Sequence, residues 1–465
     1  MKKINLLLLP SLFAVSLSYG QAHINTLTPS PIWSAEASFL NPAYLKNNNK
    51  VSINIAPLMG VNFNLRNNFI SVGGAIRLFE QTDNTKPKNF APVHELMDNL
   101  QKRNTVDMTT DLTLLHIGFK VGKPEKALNF GLSVRQHIYA KFTVNDDFYK
   151  LVYGGNKQFV GQKVFFEPNL NFMAYTDLGF AVSKTVKLMQ FQITPAVRLR
   201  YLMGEASLIT KGSNLALYTH QDGEYLELSG QIKGQAGGML NFDNLIKGNT
   251  DSLFQMSEMF NALGKGVGID IGANISYKNM SFSLGLVDNG RITYAKKNAV
   301  RISSTNANVR WEGYDFDGSE EGLEYNGNLP SLDSLKLETE SEAFTTALGT
   351  KLTLNGNYGL IEKKDKKDNP YYNHNVGLSY IQGISNQYNT STAPYVSLYY
   401  LYNFKNKFTI GANYNHYSSI DDLGANIGFR FAGLKLALGT NSLFATFNRD
   451  FSKQADFFFY LGLGF

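Results

Sequence analysis

His416 and Ser418 stand two positions apart with Tyr417 between them, and a histidine beside a serine is the pairing that acyl transfer needs. A nucleophilic serine also needs a third group to orient the base. The next strand offers Asn426, which strand alternation puts on the opposite face, so we expect no enzyme and no catalytic residue. Asp315, Asp317, Glu320, Glu321 and Glu324 form an acidic run of the kind that can hold calcium. Its glycine, Gly318, comes too early for a calcium loop, so a solvated loop is expected. There is no cysteine, which excludes disulfides and thiolate metal sites, and no zinc spacing, phosphate-cradling loop or paired-acid motif. No metal and no cofactor are expected.

The remaining chemistry lies in isolated charges on otherwise neutral strand faces. Arg77, Arg135, Arg198, Arg200, Arg291 and Arg430, with His116, His137 and Asp270, are the candidate lumen and ligand residues. Arginine can take an anion or carboxylate on its planar fork. It can equally neutralise a carboxylate of the protein such as Glu36. If a ligand passes, such a wall favours an amphiphile with an anionic head.

The elements that carry these residues are strands almost throughout. Phe191, Ile193, Val197, Leu199 and Tyr201 share one face against Gln192, Arg198 and Arg200. The same period of two runs through 51–65, 115–121, 130–137, 269–277, 408–415 and 423–431. It ends on Phe457, Phe459, Leu461, Leu463 and Phe465, a one-sided aromatic strand that a soluble protein would leave as an exposed edge. The opposing faces carry Gly, Asn, Ser, Thr and Gln rather than the Lys and Glu of a face in bulk water. That contrast points to a closed cylinder with lipid outside and a crowded polar lumen inside. The expected fold is all-β, a transmembrane antiparallel barrel of about 14 strands, between about 12 and 16. If the C-terminus lies in the periplasm, counting hairpins back from it puts the tight turns 405–407 and 432–433 inside, together with a longer connection at 363–368, and 385–390, 418–422 and 451–455 outside.

Composition agrees. Apolar residues make up 43% and mean hydropathy is −0.20, too low for a helical membrane protein and ordinary for a barrel, which hides its hydrophobicity by alternation. The net charge of +6 is mild and has no basic stripe with interleaved aromatics, so no nucleic acid is expected. Lys2 and Lys3 followed by Leu6–Leu9 and small residues near Gly20 read as a signal peptide over 1–20, which predicts export to the bacterial outer membrane. Short helices are expected over 92–102 and 242–263, and more weakly over 145–155, as loop structure. No linker divides the rest, so one barrel domain over 51–465 follows.

After the signal segment comes Pro31-Ile32-Trp33-Ser34-Ala35-Glu36-Ala37-Ser38-Phe39-Leu40-Asn41-Pro42-Ala43. An Asn-Pro-Ala here, leading into a first strand, resembles the FadL-like outer-membrane barrels and their Bacteroidota relatives of the PorV and PorP/SprF type. The stretches 266–273 and 285–294 look like an uncharacterised family of large barrels from that phylum. The resemblance implies a plug or hatch over about 21–50, with Trp33, Phe39, Asn41, Pro42 and Ala43 as its residues. It implies transport of small hydrophobic or amphiphilic molecules. Alternatively, it implies a structural barrel serving a secretion, motility or cell-surface assembly. The terminal Phe457–Phe465 pattern resembles the assembly signal read by the barrel insertion machinery. The expected partners are outer-membrane lipid and that machinery, with a hydrophobic small molecule and a protein partner as open candidates.

Overall fold

The computed structural model describes residues 34–45, 50–55, 60–80, 91–123, 126–154, 156–210, 212–222, 224–240, 262–304, 307–312, 337–364, 370–384, 394–417 and 420–464. The expected signal segment, Trp33, nearly all of 242–263, the acidic loop 315–324, Ser418 and Phe465 lie outside these residues.

Fourteen antiparallel strands close into a barrel. The first is in two pieces, Val51–Ile55 and Gly60–Asn67, and both pieces pair with the second strand, Arg103–Val121, and with the last, Gln454–Gly464. That double pairing removes the sheet edge. Between them run Leu128–Asn145, Asn169–Lys184, Phe191–Thr210, Gly264–Tyr277 and Met280–Tyr294 as strands three to seven. Lys351–Lys364 is the eighth strand, and Phe344–Ala347 continues its pairing further along the seventh. Pro370–Gly383, Tyr395–Phe404, Phe408–Tyr417, Ile420–Phe431 and Leu434–Thr440 are strands nine to thirteen. Beyond the barrel end that carries the long loops, Lys163–Phe166, Asn214–Thr219, Tyr225–Gln231 and Ala307–Glu312 form a separate small sheet. No helix among the described residues is long and apolar enough to cross a membrane.

Alternation sorts the side chains as the pattern requires. Leu199, Val267, Phe282, Leu378, Leu398 and Leu438 stand exposed on the outer face. Asn62, Asn129, Thr194, Asn274, Ser379 and Asn413 are buried on the inner one. Phe457 and Leu463 of the last strand point outward, while Phe458 and Tyr460 point in. The tight turns at 278–279, 405–407 and 432–433 all lie at the end where residues 51 and 464 lie.

Bulges interrupt this regularity on one side of the barrel. Pairing slips between Thr113 and Leu115 on the second strand, between Ala174 and Tyr175 on the fourth, and between Ile269 and Ile271 on the sixth. Opposite the last of these, Asp288 adopts a left-handed backbone (φ 57°) that a non-glycine residue rarely takes. One extra residue there flips every later side chain to the other face. Strands nine to thirteen pair with one another without such slips.

The expected helices over 92–102 and 145–155 correspond to helices Ala91–Asp98 and Asp146–Gly154. Three more, Ser34–Leu40, Val72–Glu80 and Leu443–Phe447, were not expected.

Candidate functional site

Residues 34–45 are held against the inner wall. A short helix, Ser34–Leu40, leads into a single helical turn at Pro42–Tyr44. The Asn41 side chain starts that turn by accepting from the Ala43 N–H at 2.9 Å, and its amide donates to the Leu284 carbonyl at 2.9 Å. Proline at the next position suits the start of a turn, since its missing N–H would lack a partner there anyway. The Leu40 carbonyl accepts from Thr353 (3.0 Å), and the Tyr44 hydroxyl reaches Ser283 (2.5 Å) and Asn355 (3.2 Å). Asn54 donates to the Glu36 carboxyl at 2.8 Å. Phe39 lies with its ring 4.1 Å from the Arg135 guanidinium and 5.2 Å from that of Arg198, with His116 edge-on at 5.9 Å.

Gly272 makes room for this segment. A Cβ there would lie 2.0 Å from the Asn41 Oδ1. Burial of Glu36 pushes its carboxyl up to about 7, while its own backbone N–H, Lys435 and Asn54 pull the other way.

Beside this segment, charges on strands two to eight join into a belt. Direct cross-strand register sets Asp111 opposite His137, Arg135 opposite Asp177, and Arg198 opposite Asp270. Arg198 grips Asp270 at 2.6 Å. Arg200 reaches Asp177 at 2.6 Å and Asp288 at 2.7 Å, and Lys351 meets Asp288 at 2.9 Å. His137 lies between two carboxylates, bonded to Asp111 through Nδ1 and to Asp177 through Nε2 at 2.8 Å. Its ring stacks on Tyr175 with centroids 4.5 Å apart. The Asp288 N–H donates to Asp270 at 2.8 Å, so the strained bulge is tied into the same network. All these groups are nearly inaccessible. Buried charges hold only when paired and hydrogen-bonded, and the four aspartates here balance three arginines and a lysine. Next to the belt, Leu202, Ile292, Tyr294, Phe344 and Leu348 pack with Tyr139 and Tyr175 into an apolar layer.

The expected site residues therefore divide. Arg135, Arg198, Arg200, His137 and Asp270 come together. Arg430 lies on the inner face in register with Lys435. Arg77 is instead on the loop helix Val72–Glu80, paired with Asp450 at 2.5 Å. Arg291 is exposed on the outer face, because the Asp288 bulge reverses the alternation that put it inside. Phe39, Asn41, Pro42 and Ala43 are in the segment just described. His416 bonds Asp421 at 2.8 Å on the outside of the wall, an orienting partner the sequence reading overlooked. That reading also missed Asp111, Asp177, Asp288 and Lys351. The first two lie on polar strand faces and could have been found by alternation.

A family model described as a family of unknown function (DUF5723) matches residues 42–441. The chain belongs to this family. No curated protein matches the DUF5723 chain. Among solved structures, the Ralstonia pickettii toluene transporter TbuX is 8% identical, with 96% of this chain and 98% of that one covered and a TM-score of 0.42. A deltaS2S3 mutant of the monoaromatic hydrocarbon channel TodX is 10% identical, covering 96% and 99%, at a TM-score of 0.41. The Pseudomonas putida toluene transporter TodX is 10% identical, covering 96% of each chain, at 0.36.

Proposed function

We propose that this DUF5723 chain is a bacterial outer-membrane barrel that passes small hydrophobic or amphiphilic molecules, with residues 34–45 as its plug. A closed cylinder with apolar side chains outside and polar, mostly neutral or ion-paired ones inside suits a bilayer and suits bulk water poorly. The observation that carries the transport reading is the irregularity in the wall. At Asp288 the seventh strand bulges, and opposite it the eighth is interrupted between Ala347 and Lys351. The interruption adjoins the apolar layer of Tyr294, Phe344 and Leu348. An irregular wall beside an apolar layer is where a hydrophobic solute would leave a lumen. Uptake of a long-chain fatty acid and of toluene by cells with and without the gene tests this. Equal uptake of both removes the reading.

The ion-paired belt favours a second reading, a structural barrel serving a secretion, motility or cell-surface assembly. Paired arginines and a fastened segment describe a lumen that holds its shape. Co-purification in detergent tests it, and repeated recovery of the barrel alone counts against it.

A further inference from the structure

We propose that the outer wall holds an anionic phospholipid of the leaflet at the barrel end where residues 51 and 464 lie. One acyl chain lies over Gly356 and the headgroup is drawn to Lys278. The proposal rests on the membrane reading above. Across strands six to ten, Ile275, Phe282, Gly356, Leu378 and Leu398 stand side by side on the outer face. Every member of that row is a large apolar side chain except the glycine. A Cβ at Gly356 would meet nothing within 4 Å, so the missing side chain leaves a real trough between Phe282 and Leu378. The trough has a volume of about 570 Å³, and Tyr277, Met280 and Tyr358 line its lower end. A saturated hydrocarbon chain, narrow and without polar atoms, matches a slot one side chain wide.

A second, independent observation says what head that chain should carry. The trough runs toward the turn at 278–279, where the Lys278 Nζ lies 5.2 Å from the centre of the Tyr277 ring. Among the described residues this rim is mainly basic. Five successive turns carry exposed lysines, represented by Lys126, Lys187, Lys278, Lys364 and Lys405. The exposed acid among the described residues at this rim is Glu362. The opposite end is mixed, with Asp146, Asp147, Glu340 and Glu342 beside Lys150 and Arg301. A lysine collar at headgroup depth attracts negative lipid over zwitterionic lipid.

The test offers dioleoyl phosphatidylglycerol and dioleoyl phosphatidylcholine at equal concentration to the full barrel purified in detergent. Native mass spectrometry reads the retained adducts. Phosphatidylglycerol should be retained about fivefold over phosphatidylcholine. Gly356→Phe fills the trough and should bring both adducts to background while the barrel keeps its heat-dependent gel shift. Lys278→Gln should leave lipid bound and erase the preference between the two. Equal retention by the natural chain overturns the proposal, as does undiminished phosphatidylglycerol on a folded Gly356→Phe barrel. Displacement of both lipids by lipopolysaccharide at the same trough also overturns it. A barrel that purifies without detergent would instead sink the membrane reading, so the two failures are distinct.

Discussion

Arg200 bridges three strands, since its guanidinium meets Asp177 and Asp288 and comes within 3.6 Å of Asp270. Removing it strands two or three buried carboxylates, whereas removing Arg301 leaves only exposed ones. Arg200→Met should therefore cost about 3–5 kcal/mol of unfolding free energy in detergent, and Arg301→Met less than about 1 kcal/mol. Equal losses in urea titrations would show that the belt is not cooperative. Glu36 supplies a pH test. Its carboxyl is raised from its ordinary 4.5 to about 7, so the held segment prefers the protonated form. Docking of 34–45 is at full strength below pH 4.5, weakens as pH rises to about 7 by up to roughly 3 kcal/mol, and is flat above. A spin label on the segment should be more mobile at pH 8 than at pH 5, and Glu36→Gln should abolish the difference. Much at this scale was legible in the sequence. Arg135, Arg198, Arg200 and Asp270 are rare charges on neutral faces, and neutral surroundings make them stand out. Asp288 was not legible, because its role depends on a bulge that period-two counting steps over.

At the scale of elements, the sheet was readable and its irregularities were not. Lipid contact leaves a clear alternation over 197–202 of the fifth strand, and the same rule misplaced Arg291 by one face once the seventh strand gained a residue. The helix Val72–Glu80 was missed because Gly73 and Gly74 weaken its local signal. Contact with the last loop supplies the order instead, through the Val72 N–H to the Ser452 carbonyl and the Gly73 N–H to the Arg449 carbonyl. The N-terminal segment depends on a glycine in a strand that it crosses. Gly272→Val must displace Asn41, breaking its bonds to Ala43 and Leu284. That should release 34–45, at a loss of about 1–3 kcal/mol of docking, while leaving the strand intact. Limited proteolysis should then cut near residue 40 many times faster, and an unchanged cleavage rate would show that the segment is held elsewhere.

For the molecule as a whole, the outer surface is a solvent contact with a depth scale. Leu199 faces outward at mid-strand, 56% exposed, with Arg198 on the opposite face. Leu199→Arg should destabilise the membrane-inserted barrel by about 2–4 kcal/mol, and the same substitution at Leu188, at a strand end beside the 189–190 turn, by less than about 1 kcal/mol. Refolding titrations into vesicles measure both, and equal penalties would mean that position 199 does not meet hydrocarbon. The two-piece first strand sets a further constraint. It is stitched on one flank to residues made just after it and on the other to Gln454–Gly464, made long after it. The seam therefore cannot form until Gln454–Gly464 has been made. Until it does, the polypeptide exposes two unmatched borders, and something must shield both of them in the interval.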